Sequence, residues 1–305
     1  MKPVVQWFIA VALGLAVHAA QADGPYASLA VGWAGEDVGA GIRGVNHPTR
    51  CDRLLHSNPS SVSADTACTD TAVRQIGDNE FDLGGAFTGS ARLGYAWARV
   101  RVEAAFSSRA HEGETVPFVT PGDNPALQGK ASEWSPDNPP YYRLSDFSVR
   151  SLFLNLYYGF GGNAAWTPYV GIGAGLGRVR TNYAASFQRR TLADGYVAAA
   201  GGDPERPQEW QLGAAGTSSV LDTQLREEVF GYQLIGGVER VLREGVTAFV
   251  TVRWTGFDDI AGEDVWATIR SHRPVQADGV TPFETEQALE GIGGLALSVG
   301  IRYGF

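Results

Sequence analysis

Apolar residues recur at every second position over stretches of about ten residues, again and again along the chain from about residue 26 to its end. Neighbouring side chains of an extended strand point to opposite faces, so a period of two predicts β-strands with one apolar face each. Candidate strands cover Tyr26 to Trp33, Asp82 to Tyr95, Val100 to Ser108, Phe147 to Phe160, Thr167 to Arg180, Val229 to Val241, Val246 to Phe257, and Leu289 to Phe305. Short turns join the second to the third near Trp97-Ala98, the fourth to the fifth near Gly161 to Ala165, and the sixth to the seventh near Arg243 to Gly245. The other connections are four polar stretches of roughly 30 to 50 residues, rich in Asp, Asn, Pro, Ser and Gly, longer than is usual inside compact soluble domains.

The faces divide consistently. Val100, Val102, Ala104 and Phe106 oppose Arg101, Glu103, Ala105 and Ser107; Leu295, Leu297, Val299, Ile301, Tyr303 and Phe305 oppose Ala296, Ser298, Gly300, Arg302 and Gly304. On the fifth strand Val170, Ile172, Ala174 and Leu176 oppose Gly171, Gly173, Gly175 and Gly177. A soluble sandwich or ligand-binding barrel alternates too, so the pattern alone does not choose a membrane. The aromatic residues do. Tyr26, Tyr95, Trp97, Tyr158, Phe160, Trp166, Tyr303 and Phe305 cluster at one end of the strands, with a looser set of Trp33, Phe106, Phe147, Phe230 and Trp254 toward the other. Such girdles flank the apolar band of a membrane barrel, whose opposite faces carry long loops and short turns. The expected fold is therefore all-β: a closed antiparallel eight-stranded transmembrane β-barrel with long extracellular loops.

Residues 1–22 read as a secretory signal peptide, with Lys2, an apolar run from Trp7 to Val17, and a cleavage site at Ala20-Gln21-Ala22. That run is short for a retained helical span, which needs about 20 apolar residues. Residues 23–305 then form the barrel domain. The net charge of −9 argues against a nucleic-acid partner. Export to an oxidising compartment makes an even pair of cysteines interpretable, and Cys51 and Cys68 lie in one polar segment, where a disulfide is expected. Closing that loop would remove about 3 kcal/mol of entropy from the unfolded chain.

Four blocks, Gly89-Ser-Ala-Arg-Leu-Gly-Tyr95, Leu154-Asn-Leu-Tyr-Tyr-Gly-Phe160, Pro168-Tyr-Val-Gly-Ile-Gly-Ala-Gly175 and Gly231-Tyr-Gln-Leu-Ile-Gly-Gly-Val238, resemble the opacity-type, porin-like outer-membrane β-barrel family. The ending Ser298-Val-Gly-Ile-Arg-Tyr-Gly-Phe305 is similar to the terminal signal of such proteins, with Ile301, Tyr303 and Phe305 as the residues read by the barrel-assembly machinery. The resemblance implies eight strands, both termini in the periplasm, and four loops outside the cell. Outer-membrane lipid and lipopolysaccharide are then the implied surroundings, and a host or cell-surface ligand an implied loop partner. It does not imply one activity, since the family holds adhesins, immune-interaction proteins and structural proteins.

The interior of an eight-stranded barrel is just wide enough to be filled by side chains. The inward polar set is Arg92, Arg101, Glu103, Asn155, Gln233, Glu239, Arg253 and Arg302, with Ser90, Tyr157 and Thr251 beside them and the fifth-strand glycines making room. A hairpin centred on Trp97-Ala98 places Arg92 opposite Glu103, so these two are expected to pair. Mutual neutralisation is the plain reading of these charges, and a narrow ion path the sharper one. Catalysis finds little support: His47, His56, His111 and His272 all fall in expected loops, and the best constellation, Ser108 with His111 and Glu112, matches no hydrolase spacing. No cofactor is expected. Glu227-Glu228, Asp258-Asp259 and Glu263-Asp264 read as solvated loop charge, with divalent-cation binding as the alternative.

Overall fold

The computed structural model describes residues 23–44, 74–117, 141–161, 166–188, 218–265, 267–270 and 284–305. The expected signal peptide, the expected Cys51–Cys68 disulfide, and His47, His56 and His272 lie outside the described residues. Ten strands follow one another: β1 (Gly24–Gly44), β2 (Arg74–Trp97), β3 (Val100–Pro117), β4 (Tyr141–Gly159), β5 (Thr167–Gln188), β6 (Ser218–Arg243), β7 (Val246–Phe257), β8 (Ile260–Val265), β9 (Ala267–Arg270) and β10 (Glu284–Gly304).

Each long strand pairs antiparallel with the next, in the order β1-β2-β3-β4-β5-β6-β7-β10, and β10 returns to β1 with Tyr26 opposite Gly304 and Gly44 opposite Thr285. This makes a closed ring of eight strand positions. The seventh position is interrupted. After Phe257 the chain leaves β6; β8 continues along β10, with Leu289 opposite Ile260, and β9 returns to β6 near Val220. Between those points a Thr223 hydroxyl donated to the Asp264 carboxylate ties β6 to β8.

The strands outrun their expected lengths, at 18 to 26 residues for the six from β1 to β6. Much of what reads as polar loop is strand standing above the apolar belt. Outside, the belt carries Leu29, Leu93, Leu154, Ile172, Leu234 and Ile301, each more than half exposed. From Tyr303 to Leu295 it covers about 27 Å of strand at about 3.4 Å per residue, or about 21 Å of height at a tilt of about 40°, near the apolar band of a membrane barrel. Large apolar residues exposed around a closed wall, over a polar interior, make this a transmembrane barrel.

Above the belt the interior changes character. Ile42, Phe81, Tyr142, Leu144, Phe147, Tyr183, Leu221, Ile260, Leu289 and Ile292 form one buried apolar cluster, while the outer wall at that height carries charge. Phe81 on β2 meets Tyr183 on β5 edge to face at 6.4 Å, and Phe153 on β4 meets Phe257 on β7 at 6.0 Å, so rings reach across the lumen. The expectation of one apolar outer face and one polar inner face is thus corrected: it holds within the belt and inverts above it. The cause is solvent, since a wall facing water can be stabilised only by an apolar interior.

Two expected girdle residues also turn inward. Phe147 is fully buried, because the chain bulges between Ser145 and Ser148, with Asp146 at φ 54°, and shifts the alternation by one. Tyr26, 3% exposed, shares its face with Ser28 and Ala30 rather than with Leu29 and Val31.

Candidate functional site

Within the belt, the lumen gathers the polar residues that alternation points inward. Arg92, Arg101, Glu103, Asn155, Gln233, Glu239, Arg253 and Arg302 are all buried there. Glu239 on β6 is the hub. Arg101 on β3 donates to both its oxygens at 2.8 and 2.9 Å, and Arg302 on β10 donates from Nη1 at 2.9 Å and Nη2 at 3.3 Å. Arg101 also lies over the rings of Tyr157 and Tyr169, at 5.1 and 5.0 Å, and Arg302 over Tyr26 at 5.3 Å. Such contacts hold a guanidinium in place at little desolvation cost.

Glu103 forms the second centre. Its carboxylate accepts the Tyr157 hydroxyl at 2.8 Å and the Tyr26 hydroxyl at 3.1 Å, and Arg92 Nε stands 3.9 Å away. Arg92 and Glu103 therefore do approach, but not as directly opposed residues. The hairpin turns at Ala98-Arg99, with Ala98 at φ 50°, so Arg92 faces Ala105 and Glu103 faces Gly94. The expected centre was one residue early, and each such step moves the register by two. Arg92 donates instead to Ser90, at 3.1 and 3.2 Å.

Glycine on β5 makes the space. A Cβ at Gly173 would stand 1.9 Å from Asn155 Oδ1, and one at Gly177 would stand 2.3 Å from the Phe257 ring.

A third centre, at the plane where the interior turns apolar, involves residues the alternation could have supplied. Arg109 donates to both oxygens of Glu36 at 2.5 and 2.7 Å, and His111 Nε2 lies 3.8 Å from the same carboxylate. Arg109 and His111 continue the inward parity of Arg101, Glu103 and Ser107; ending the third strand at Ser108 hid them. His111 is thus not a loop residue: it is buried on β3, with Nδ1 3.1 Å from the Gly84 carbonyl. Burial pushes its imidazole below the usual 6.5, against the upward pull of Glu36. Ser108 and Glu112 have the opposite parity and point out of the wall, so the trio Ser108, His111 and Glu112 does not meet.

Two of the acidic pairs read as loop charge lie on strands instead, while Asp258-Asp259 is exposed in the connection between β7 and β8. Glu227-Glu228 lies on β6 and Glu263-Asp264 on β8, while Asp259 accepts the Gly291 amide at 3.1 Å. Among the described residues, no group of three or more His, Cys, Asp or Glu side chains is placed to hold a metal ion. Ile301, Tyr303 and Phe305 stand exposed on the outer face of the barrel's closing strand and at its end.

No family model matches the sequence, and no curated protein matches it. Solved structures similar to it include Neisserial surface protein A, 12% identical over 94% of this chain and 100% of that one, with a TM-score of 0.40. The outer membrane protease OmpT of Escherichia coli is 10% identical over 93% and 97% of the two chains, at 0.41. The outer membrane protein OprG of Pseudomonas aeruginosa is 13% identical over 96% and 100%, at 0.39. The closed barrel itself stands on the strand register, from β1 round to β10.

Proposed function

We propose that this chain is a non-catalytic surface protein of a bacterial outer membrane, whose barrel is a rigid anchor for segments outside the cell in structural, adhesive or host-interaction roles. The supporting observation is the interior. Within the belt Arg101 and Arg302 both bond to Glu239 across the lumen and the Tyr26 and Tyr157 hydroxyls to Glu103, and above them side chains from opposite walls pack into an apolar core. An interior committed to holding the barrel's shape leaves the outer surface and the connections above it for recognition. In this reading both termini are periplasmic, the barrel-assembly machinery inserts the chain through its last strand, and residues 45–73, 118–140, 189–217 and 271–283 connect the strands outside the cell.

Protease treatment of intact cells tests the placement: cleavage confined to those four connections supports it, and cleavage only after the membrane is opened refutes it. Shortening the connections should abolish partner binding while leaving heat-modifiable migration on gels unchanged; a loopless barrel that still binds would overturn the role. The narrow-channel reading keeps one observation in its favour, four buried arginines against two glutamates within the belt. Planar-bilayer recording separates the two, and the anchor reading expects silence.

A further inference from the structure

The outer wall just above the apolar belt is not uniform in charge. Asp37, Asp78, Glu80, Asp82, Glu112 and Glu290, from β1, β2, β3 and β10, are exposed at or above this height, as expected of a chain with net charge −9. The wall of β4, β5 and β6 differs in carrying a cluster of cations beside its own acidic residues. Arg150, Arg178, Arg180 and Arg226 all point outward and are exposed. The strand register sets Arg150 directly opposite Arg178, and Arg180 directly opposite Arg226. Like charges in directly opposed cross-strand positions repel and weaken a sheet. Two such pairs in neighbouring ladders of an acidic protein are not explained by the barrel's own stability.

Four exposed acidic residues share these strands, Asp146 on β4 and Asp222, Glu227 and Glu228 on β6. Glu228 accepts from Arg178, whose guanidinium holds the carboxyl below its ordinary range, and Asp146 accepts the Asn182 amide at 2.9 Å. Among the described residues, Arg178 with Glu228 is the one ion pair within this patch, and both side chains are more than half exposed. Uncharged neighbours on the face are Ser108, Ser148, Asn182 and Gln224.

Height identifies the partner. Arg150 stands two residues above Leu152, and Arg178 two above Leu176, which together with Phe230 form the upper row of the belt. Two residues are about 7 Å of strand, so the guanidiniums lie where hydrocarbon gives way to headgroups. Guanidinium binds phosphate through paired, charge-assisted hydrogen bonds, and several on adjacent strands match a headgroup with more than one phosphate.

We propose that the outer wall of β4, β5 and β6, through Arg150, Arg178, Arg180 and Arg226, is a binding site for the phosphates of a phosphorylated outer-leaflet glycolipid. This rests on the outer-membrane reading above. Bound phosphate separates and neutralises the opposed guanidiniums, so the repulsion that the empty wall tolerates is relieved in the membrane.

The test uses the full chain folded in micelles and in vesicles, with folding read from heat-modifiable migration. The probes are bisphosphorylated lipid A, the same lipid dephosphorylated, phosphatidylglycerol and inorganic phosphate, read by native mass spectrometry and by the thermal unfolding midpoint. Bisphosphorylated lipid A should stay bound and raise the midpoint, with the other three at least tenfold weaker. R150Q/R180Q/R226Q should lose at least tenfold in that binding. Without lipid its midpoint should equal or exceed that of the wild type, because the opposed charges are gone; a merely structural role would lower it. Unchanged binding by the triple variant, equal binding of the dephosphorylated lipid or of phosphatidylglycerol, or full competition by inorganic phosphate would each overturn the proposal. A chain that inserts into vesicles yet binds no lipid A defeats this proposal alone, whereas one that never inserts defeats the membrane reading as well.

Discussion

Replacing Glu239 with leucine removes the one acceptor shared by Arg101 and Arg302, which bond to it at 2.8 to 3.3 Å. Breaking a buried ion pair from one side costs about 3–5 kcal/mol, because the remaining charge stays buried without its partner. Two cations are left here, which favours the upper end. Both keep aromatic faces, Arg101 on Tyr157 and Tyr169 and Arg302 on Tyr26, and those retain about 0.5–2 kcal/mol each. The expected loss for Glu239→Leu is therefore about 4 kcal/mol, near three powers of ten in the folding equilibrium at about 1.4 kcal/mol per power. Urea unfolding of the refolded protein in micelles measures it, with folded and unfolded bands counted on unheated gels. The triple change E239L/R101M/R302M supplies the control, since apolar residues of similar volume often replace a buried ionic group at no net cost. It should recover to within about 2 kcal/mol of the wild type. If the single variant lost under about 1 kcal/mol, or the triple were no better than the single, Glu239 would not be what the lumen arginines are organised around.

Phe257→Ala should cost about 3–5 kcal/mol by urea unfolding, because its ring fills the space between Phe153, Gly177 on β5 and Gly231 on β6; a loss under about 1 kcal/mol would mean the interior there is not packed. Gly173→Val places a Cβ where Asn155 Oδ1 now lies and should destabilise by about 1–3 kcal/mol, an effect that Asn155→Ala in the same chain should reduce. The depressed pKa of His111 means that the folded barrel favours the neutral ring, so stability present above pH 6.5 is lost as pH falls through the lower folded value. Unfolding midpoints at several pH values should fall less on acidification in His111→Asn than in the wild type, and an equal or steeper fall would refute the assignment.

The belt was legible because hydrocarbon outside and polar groups inside impose a period of two with a fixed sense: Leu295 to Tyr303 and Val170 to Leu176 could be placed on the outer face from sequence alone. The lumen set followed from the same parity. Most of what sequence reading missed has one physical origin. Above the belt the sense of the alternation reverses, so Tyr142, Leu144, Val179 and Tyr183 look like scattered apolar residues among Arg143, Arg180 and Asn182, and a strand looks like a loop. Backbone irregularities account for the rest. The bulge at Asp146 moved Phe147 from the outer wall into the core, and a turn displaced by one residue at Ala98 set Arg92 opposite Ala105, from where it reaches Glu103 diagonally. Neither leaves a mark in composition.

The reversal on each long strand also fixes how deep the barrel floats. Raised by a few residues, it would lift Leu152 and Leu176 into water; lowered, it would drag Arg150 and Arg178 into oil, where a charge at mid-depth costs about 2–4 kcal/mol. Both displacements are penalised at once and around the circumference, so the waterline is written into the wall like the load mark on a hull. The upper rim of the wall is thereby held at a set height above the hydrocarbon, whatever connects the strands beyond it.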